Sequence, residues 1–100
     1  MKLWIDDVRP APEDYIWCKS VNLAKDTIAT VEAFPELSIK LIDIDHDAGD
    51  YANDGGDYIK LLDWLEETGR NYPIRIHSMN PVGRENMRRI IQRNGWTEVI

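Results

Sequence analysis

The run Leu41-Ile42-Asp43-Ile44-Asp45-His46-Asp47 constrains this chain more than any other stretch. Its apolar residues read as a buried strand, yet aspartates interrupt it and it ends in Asp-His-Asp, ahead of a loop rich in Gly, Asp and Asn. A carboxylate at the edge of a core costs several kcal/mol unless a cation, a proton or a hydrogen-bond donor offsets it. Two other runs end alike: Leu3-Trp4-Ile5 in Asp6-Asp7, and Ile74-Arg75-Ile76 in His77-Ser78-Met79-Asn80. In an open parallel α/β sheet the carboxyl ends of neighbouring strands share one rim, where ligands bind. The three ends are therefore expected to form one acidic, metal-ready site containing both histidines.

Periodicity arranges the rest around that rim. Residues 2–5 make a short strand, and Arg9-Pro10-Ala11-Pro12 forbids a helix behind it, because proline restricts itself and its predecessor. Tyr15-Ile16-Trp17-Cys18 is rich in strand formers, so a second strand follows at once. Ser20 is placed to cap a helix whose apolar positions Val21, Ala24, Ile28 and Val31 recur at helical spacing, and Pro35 ends it. Residues 37–45 read as the central strand and 48–56 as a polar loop containing Gly49, Gly55 and Gly56. Tyr58, Leu61, Leu62 and Leu65 predict a helix stopped by Gly69. Residues 73–77 read as another strand. Asn80-Pro81 opens a last helix with Met87, Ile90 and Ile91 inward, and Asn94-Gly95 closes it. Residues 96–100 read as a final edge strand. Strands alternating with helices predict one α/β domain over residues 1–100, with a parallel sheet and right-handed crossovers.

Composition narrows the function classes. With 43% hydrophobic residues in 100, the chain suffices for one core. A net charge of −6 gives no general affinity for nucleic acid or anionic membrane. Much of the acid is local: Asp43, Asp45, Asp47, Asp50, Asp54 and Asp57 crowd one stretch, and such carboxylates repel unless solvated or metal-bound. The lone Cys18 excludes an intrachain disulfide and fits a reducing cytosol. No apolar run nears the ~20 residues of a membrane span. The apolar start is too short for a signal peptide, so a soluble cytoplasmic protein is expected.

The rim residues suit phosphate chemistry. Asp6, Asp7 and Asp45 offer hard oxygen ligands for Mg²⁺ or Mn²⁺ beside a phosphate, and Asp47 either adds a ligand or orients a histidine. His46 and His77 are the only histidines. They are expected to serve as acid and base, one taking a proton from water while the other protonates a leaving oxygen. Arg84, in the first turn of the last helix, and Arg9 are candidates for holding the non-bridging oxygens. Asp43, one step inside its strand, reads as a paired structural carboxylate and Asn80 as a helix cap. Arg84, Arg88, Arg89 and Arg93 read mainly as a solvated face, and Trp4, Trp17, Trp64 and Trp96 as apolar filler rather than stacking platforms.

Two acids after the first strand, an aspartate ending the third and a hydroxyl residue after the fourth resemble the receiver domains of bacterial response regulators. That resemblance implies Asp6 and Asp7 as a metal-binding acidic pair, Asp45 as a phospho-accepting aspartate, and Ser78 as the hydroxyl that contacts phosphate. The chain departs from receivers in lacking a first helix, a helix after the fifth strand, and a lysine there. More specific words are Leu3-Trp4-Ile5-Asp6-Asp7-Val8-Arg9-Pro10, Asp45-His46-Asp47, and Ile76-His77-Ser78-Met79-Asn80-Pro81-Val82-Gly83-Arg84-Glu85-Asn86-Met87. They are similar to a small receiver-like group of bacteria and phages proposed to process cyclic phosphates and linked with RNA repair.

The resemblance implies a three-layer, flavodoxin-like α/β fold whose five-stranded parallel sheet has the order 2-1-3-4-5. It also implies a divalent-metal-dependent phosphoesterase acting on a cyclic or terminal phosphate of a nucleotide or RNA end, with His77, His46 and Asp45 catalytic. The alternatives are a signalling module phosphorylated on Asp45 and a non-catalytic protein-binding module. An exposed last strand would also let two chains pair edge to edge as a homodimer.

Overall fold

A computed structural model describes residues 1–100. Four parallel strands, β1 (Lys2–Ile5), β2 (Tyr15–Cys18), β3 (Leu41–Ile44) and β4 (Ile74–Ile76), lie in the order β2-β1-β3-β4. Helices α1 (Val21–Glu32), α2 (Ile59–Glu67) and α3 (Pro81–Asn94) follow β2, β3 and β4. The helix ends are set by the capping residues. Ser20 Oγ accepts from the Leu23 amide at 3.1 Å and Asn80 Oδ1 from the Gly83 amide at 3.0 Å. Each cap of this kind contributes about 1 kcal/mol.

From β2 onward the chain crosses the sheet in one direction, so right-handed crossovers put the three helices on one face. The pleat turns Leu3, Ile5, Cys18, Ile42, Ile44, Ile74 and Ile76 toward them. With Ile28, Tyr58, Leu61, Leu62, Leu65, Met87 and Ile91, these form most of a core cluster of 21 buried residues. Each large side chain there contributes roughly 1.5–3 kcal/mol by leaving water.

By the same alternation Lys2, Trp4, Tyr15, Trp17, Asp43 and Arg75 point to the opposite face, and no helix covers it. The expected three layers are therefore two. Pro10 and Pro12 stand where a helix behind β1 would have to run, and neither tolerates a helix interior. A loop closes part of the bare face instead. Trp4 Nε1 donates to the Arg9 carbonyl at 2.9 Å, and Trp17 Nε1 to the Asp6 carbonyl at 2.7 Å. The Trp4 ring meets Tyr15 edge-on at 5.7 Å, and the Lys2 ammonium lies 4.5 Å from the Tyr15 centroid.

The expected five strands are four. Residues 96–100 reach the sheet at Ile74 alone, whose amide donates to Thr97 O at 3.0 Å and whose carbonyl accepts from Val99 N at 2.8 Å. Arg88 on α3 grips both oxygens of Glu98, with its closest contact at 2.8 Å, and so holds the segment to the helix. The next outward carbonyl of β4, that of Ile76, is taken by Arg84 instead of a strand partner. The segment thus meets the sheet at a single bridge rather than along a continuous ladder. The central strand is also shorter than its apolar run, starting at Leu41; just ahead of it Lys40 N donates to the Met1 carbonyl at 2.7 Å. The polar loop holds a 3-10 turn, Gly49–Asn53. No helix of the chain is long and apolar enough to cross a membrane.

Candidate metal and phosphate site

Asp6 and Asp7 follow β1, and Asp45 follows β3, its immediate neighbour in the sheet. One oxygen from each of Asp6, Asp7 and Asp45 lies within 4.8 Å of the others. Local hydrogen bonds hold them there. Asp6 Oδ1 accepts from the Val8 and Arg9 amides, both at 3.0 Å, and Asp45 Oδ1 from the His46 amide at 2.8 Å. Glycine suits position 49: at φ +56 a side chain would be strained, and its Cβ would lie 2.4 Å from Asp7 Oδ2, so that the carboxylate would have to move.

The electrostatics of the three acids are uneven. Burial pushes the Asp6 carboxyl up, but the Arg9 amide, His77 and the Val8 amide outweigh it and hold it below its ordinary range. Asp7 goes the other way: burial raises it, and the negative charges of Asp6 and Asp45 add to that. Tyr58 lies close to the same charges. Its hydroxyl donates to Lys19 O at 2.7 Å, and burial, then Asp7, Asp6 and Asp45, drive its pKa far above the usual range. Three oxygens with too few nearby cations form a hard donor set of the kind that Mg²⁺ or Mn²⁺ satisfies.

His77 touches this cluster through Asp6. Its Nε2 is 2.8 Å from Asp6 Oδ2 and its Nδ1 2.7 Å from Asp43 Oδ1, and both acids are fully buried. Both ring nitrogens are therefore occupied by buried carboxylates. The Trp4 ring stacks on the imidazole, with centroids 3.9 Å apart and planes 4° from parallel. His77, expected as one of two proton-transfer residues, sits with both ring nitrogens on buried carboxylates and so also braces Asp6. Trp4, expected as filler, is the platform under it. Asp43 takes the paired structural role read for it, with Tyr15 and Arg75 at the 3.5 Å limit on its second oxygen.

His46 stands differently. Its Nδ1 is 2.9 Å from Asp47 Oδ1, and its other ring nitrogen makes no hydrogen bond to the protein. Asp47 Oδ2 also receives Asn80 Nδ2 at 3.4 Å, so Asp47 orients a histidine and stands outside the acid trio. The imidazole packs on α3 at Gly83, where a Cβ would meet His46 Cγ at 2.4 Å and Cδ2 at 2.6 Å. Gly83→Ala gains about 1 kcal/mol of helix propensity, whereas overpacking of this severity costs about 1–3 kcal/mol. A net loss near ~1 kcal/mol in urea unfolding, with displaced His46 ring resonances, is expected. A more stable variant with unmoved resonances contradicts the close packing.

The remaining candidates line the backbone at the end of β4. Arg9 Nη1 donates to His77 O at 3.0 Å, and Arg84 Nη1 to Ile76 O at 3.2 Å and Ser78 O at 3.0 Å. Three successive carbonyls are thus held by guanidinium groups. Ser78 is buried, and its Oγ accepts the Asn80 amide at 3.1 Å. Arg75, overlooked from sequence, stands between Asp43 and the outer edge of β4.

A receiver-like fold with acids gathered at one strand rim defines the class. The family described as the cyclic-phosphate processing receiver domain matches residues 1–93, and the chain belongs to it. No curated protein and no solved structure shows significant similarity to the chain.

Proposed function

We propose that this protein is a divalent-metal-dependent phosphoesterase that opens a cyclic phosphate, or removes a terminal one, at a nucleotide or RNA end. The observation that carries the reading is the meeting of Asp6, Asp7 and Asp45 oxygens within 4.8 Å. Held by these three, Mg²⁺ or Mn²⁺ would neutralise phosphoryl oxygens and acidify water. His46 moves the proton, because one of its ring nitrogens is free while Asp47 fixes the other. His77 holds Asp6 in place, backed by Asp43. Arg9 and Ser78, both held at the end of β4, are the candidates to receive the anion.

The test is turnover of several 2′,3′-cyclic nucleotides with Mn²⁺. His46→Ala and Asp45→Ala are expected to lose activity by about a hundredfold or more, the usual scale for a proton-transfer group. Wild-type inactivity on all of them sinks the reading.

A second reading is favoured by one feature. Asp45 is part-exposed at the rim, and only its Oδ1 is engaged, by the His46 amide. An aspartate so placed suits phosphorylation in a signalling receiver. Beryllofluoride, an acyl-phosphate mimic, should then bind wild type and not Asp45→Asn; no binding to wild type removes it.

A further inference from the structure

Strand pairing between β4 and the C-terminal segment lapses after Ile74. The gap it leaves is a cleft of about 290 Å³ lined by Arg75, Ile76, His77, Arg84, Glu98 and Val99. We propose that this cleft binds a second phosphate of the substrate, the phosphodiester next to the reacting end of an RNA strand. The ligand's identity rests on the phosphoesterase reading; the anion site itself does not.

Two arginines line the cleft, each with guanidinium donors to spare. Arg84 commits Nη1 to the Ile76 and Ser78 carbonyls, and its Nε and Nη2 make no protein bond. The Arg75 side chain is 49% exposed and its one contact, Nη1 to Asp43 Oδ2, is 3.5 Å long. Asp43 already has a stronger partner in His77 at 2.7 Å, so Arg75 is weakly held. Glu98 also lines the cleft, but Arg88 binds both its oxygens at 2.8–3.2 Å and offsets its charge. Because Arg75 pairs inward with Asp43 of β3, the pleat points the neighbouring Ile76 amide outward into the same gap. On a chain of net charge −6, two arginines lining one cleft beside an outward amide make a local anion site, and guanidinium matches phosphate bidentately.

The placement gives the site its meaning. His77 is the shared wall: it lines the cleft, and its Nε2 lies 2.8 Å from Asp6, one of the three gathered acids. A phosphate among the arginines is then one imidazole away from the rim. A strand end laid across His77 would present its terminal phosphate to the acids and the preceding phosphate to the cleft. A cyclic mononucleotide fills only the first position.

The test begins without metal. Titrating the whole chain with inorganic phosphate in chelator is expected to shift the Ile76 and Val99 amide resonances saturably, while the Asp45 and His46 amides stay in place. Arg75→Gln is expected to weaken that binding by about tenfold, the scale of one charge-assisted hydrogen bond. With Mn²⁺, a dinucleotide ending in a 2′,3′-cyclic phosphate should show a KM about tenfold below that of the cyclic mononucleotide, and Arg75→Gln should remove the advantage. No saturable shift at Ile76 and Val99, or binding unchanged in Arg75→Gln, overturns the cleft. Equal KM values in wild type overturn its assignment to a second phosphate. Phosphate binding in the cleft without turnover of any cyclic phosphate upholds the anion site and overturns only the phosphoesterase reading.

Discussion

Asp43→Ala is expected to lower the free energy of unfolding by about 1–3 kcal/mol, the cost of leaving a buried hydrogen-bonding group without its partner. Asp43 is fully buried on the sheet face that no helix covers, and its Oδ1 lies 2.7 Å from His77 Nδ1. Without it the imidazole keeps only Asp6 as a partner, with Trp4 stacked against its face. Tyr15 and Arg75, each at 3.5 Å, are too distant to carry much of the loss, and their own exposure lets water replace Asp43. For a domain whose total stability is on the order of 5–15 kcal/mol, such a loss is a sizeable fraction. Chemical denaturation of the single variants and of Asp43→Ala with His77→Ala tests the coupling. The double variant should cost clearly less than the sum of the two singles, because the second change removes a group the first has already orphaned. A single-variant loss below ~1 kcal/mol, or strict additivity, sinks the proposed bracing of His77.

Most of the fold is legible in the sequence because its signals are local. Ser20 and Asn80 cap, Pro10 and Pro12 block, and the stripe of Leu61, Leu62 and Leu65 admits one reading each. The meeting of Asp6, Asp7 and Asp45 is legible too, since parallel strands put their carboxyl ends on one rim. The fate of residues 96–100 is not, because Trp96, Thr97 and Val99 look like strand formers, while Arg88 holds Glu98 to α3 and Arg84 takes the Ile76 carbonyl. The role of His77 is hidden for a related reason. A lone histidine at a strand end does not reveal that Asp43 lies beside it on the neighbouring strand; that needs the register pairing Asp43 with Arg75. The signal existed in a weak form. Trp4, Tyr15, Trp17, Asp43 and Arg75 fall on one side of the pleat, which is an unusual set to leave uncovered unless its members bind one another.

Asp7→Asn is expected to separate the cost of the acid trio from its use. In the absence of divalent metal the three carboxylates oppose one another, and Asp7 feels it most plainly: burial raises its pKa, and the charges of Asp6 and Asp45 raise it further. Replacing it with the neutral isostere should stabilise the metal-free protein by on the order of 1 kcal/mol once solvent screening is allowed for. The same change removes one of the three oxygens that carry charge to a cation. Wild type at a Mn²⁺ concentration of about a hundred times Kd should gain about 2.7 kcal/mol. At roughly 4–8 °C per kcal/mol for a domain of this size, that is a rise in Tm above about 10 °C. Asp7→Asn should melt higher than wild type in chelator and gain little from Mn²⁺, so that the two melting curves exchange order when metal is added. Asp63→Asn, an acid paired only with Lys60 on the exposed side of α2, should change neither curve. Equal gains from Mn²⁺ in wild type and Asp7→Asn, or none in either, would show that the gathered carboxylates are not a metal site, because only a cation they hold in common makes one substitution stabilising without metal and destabilising with it.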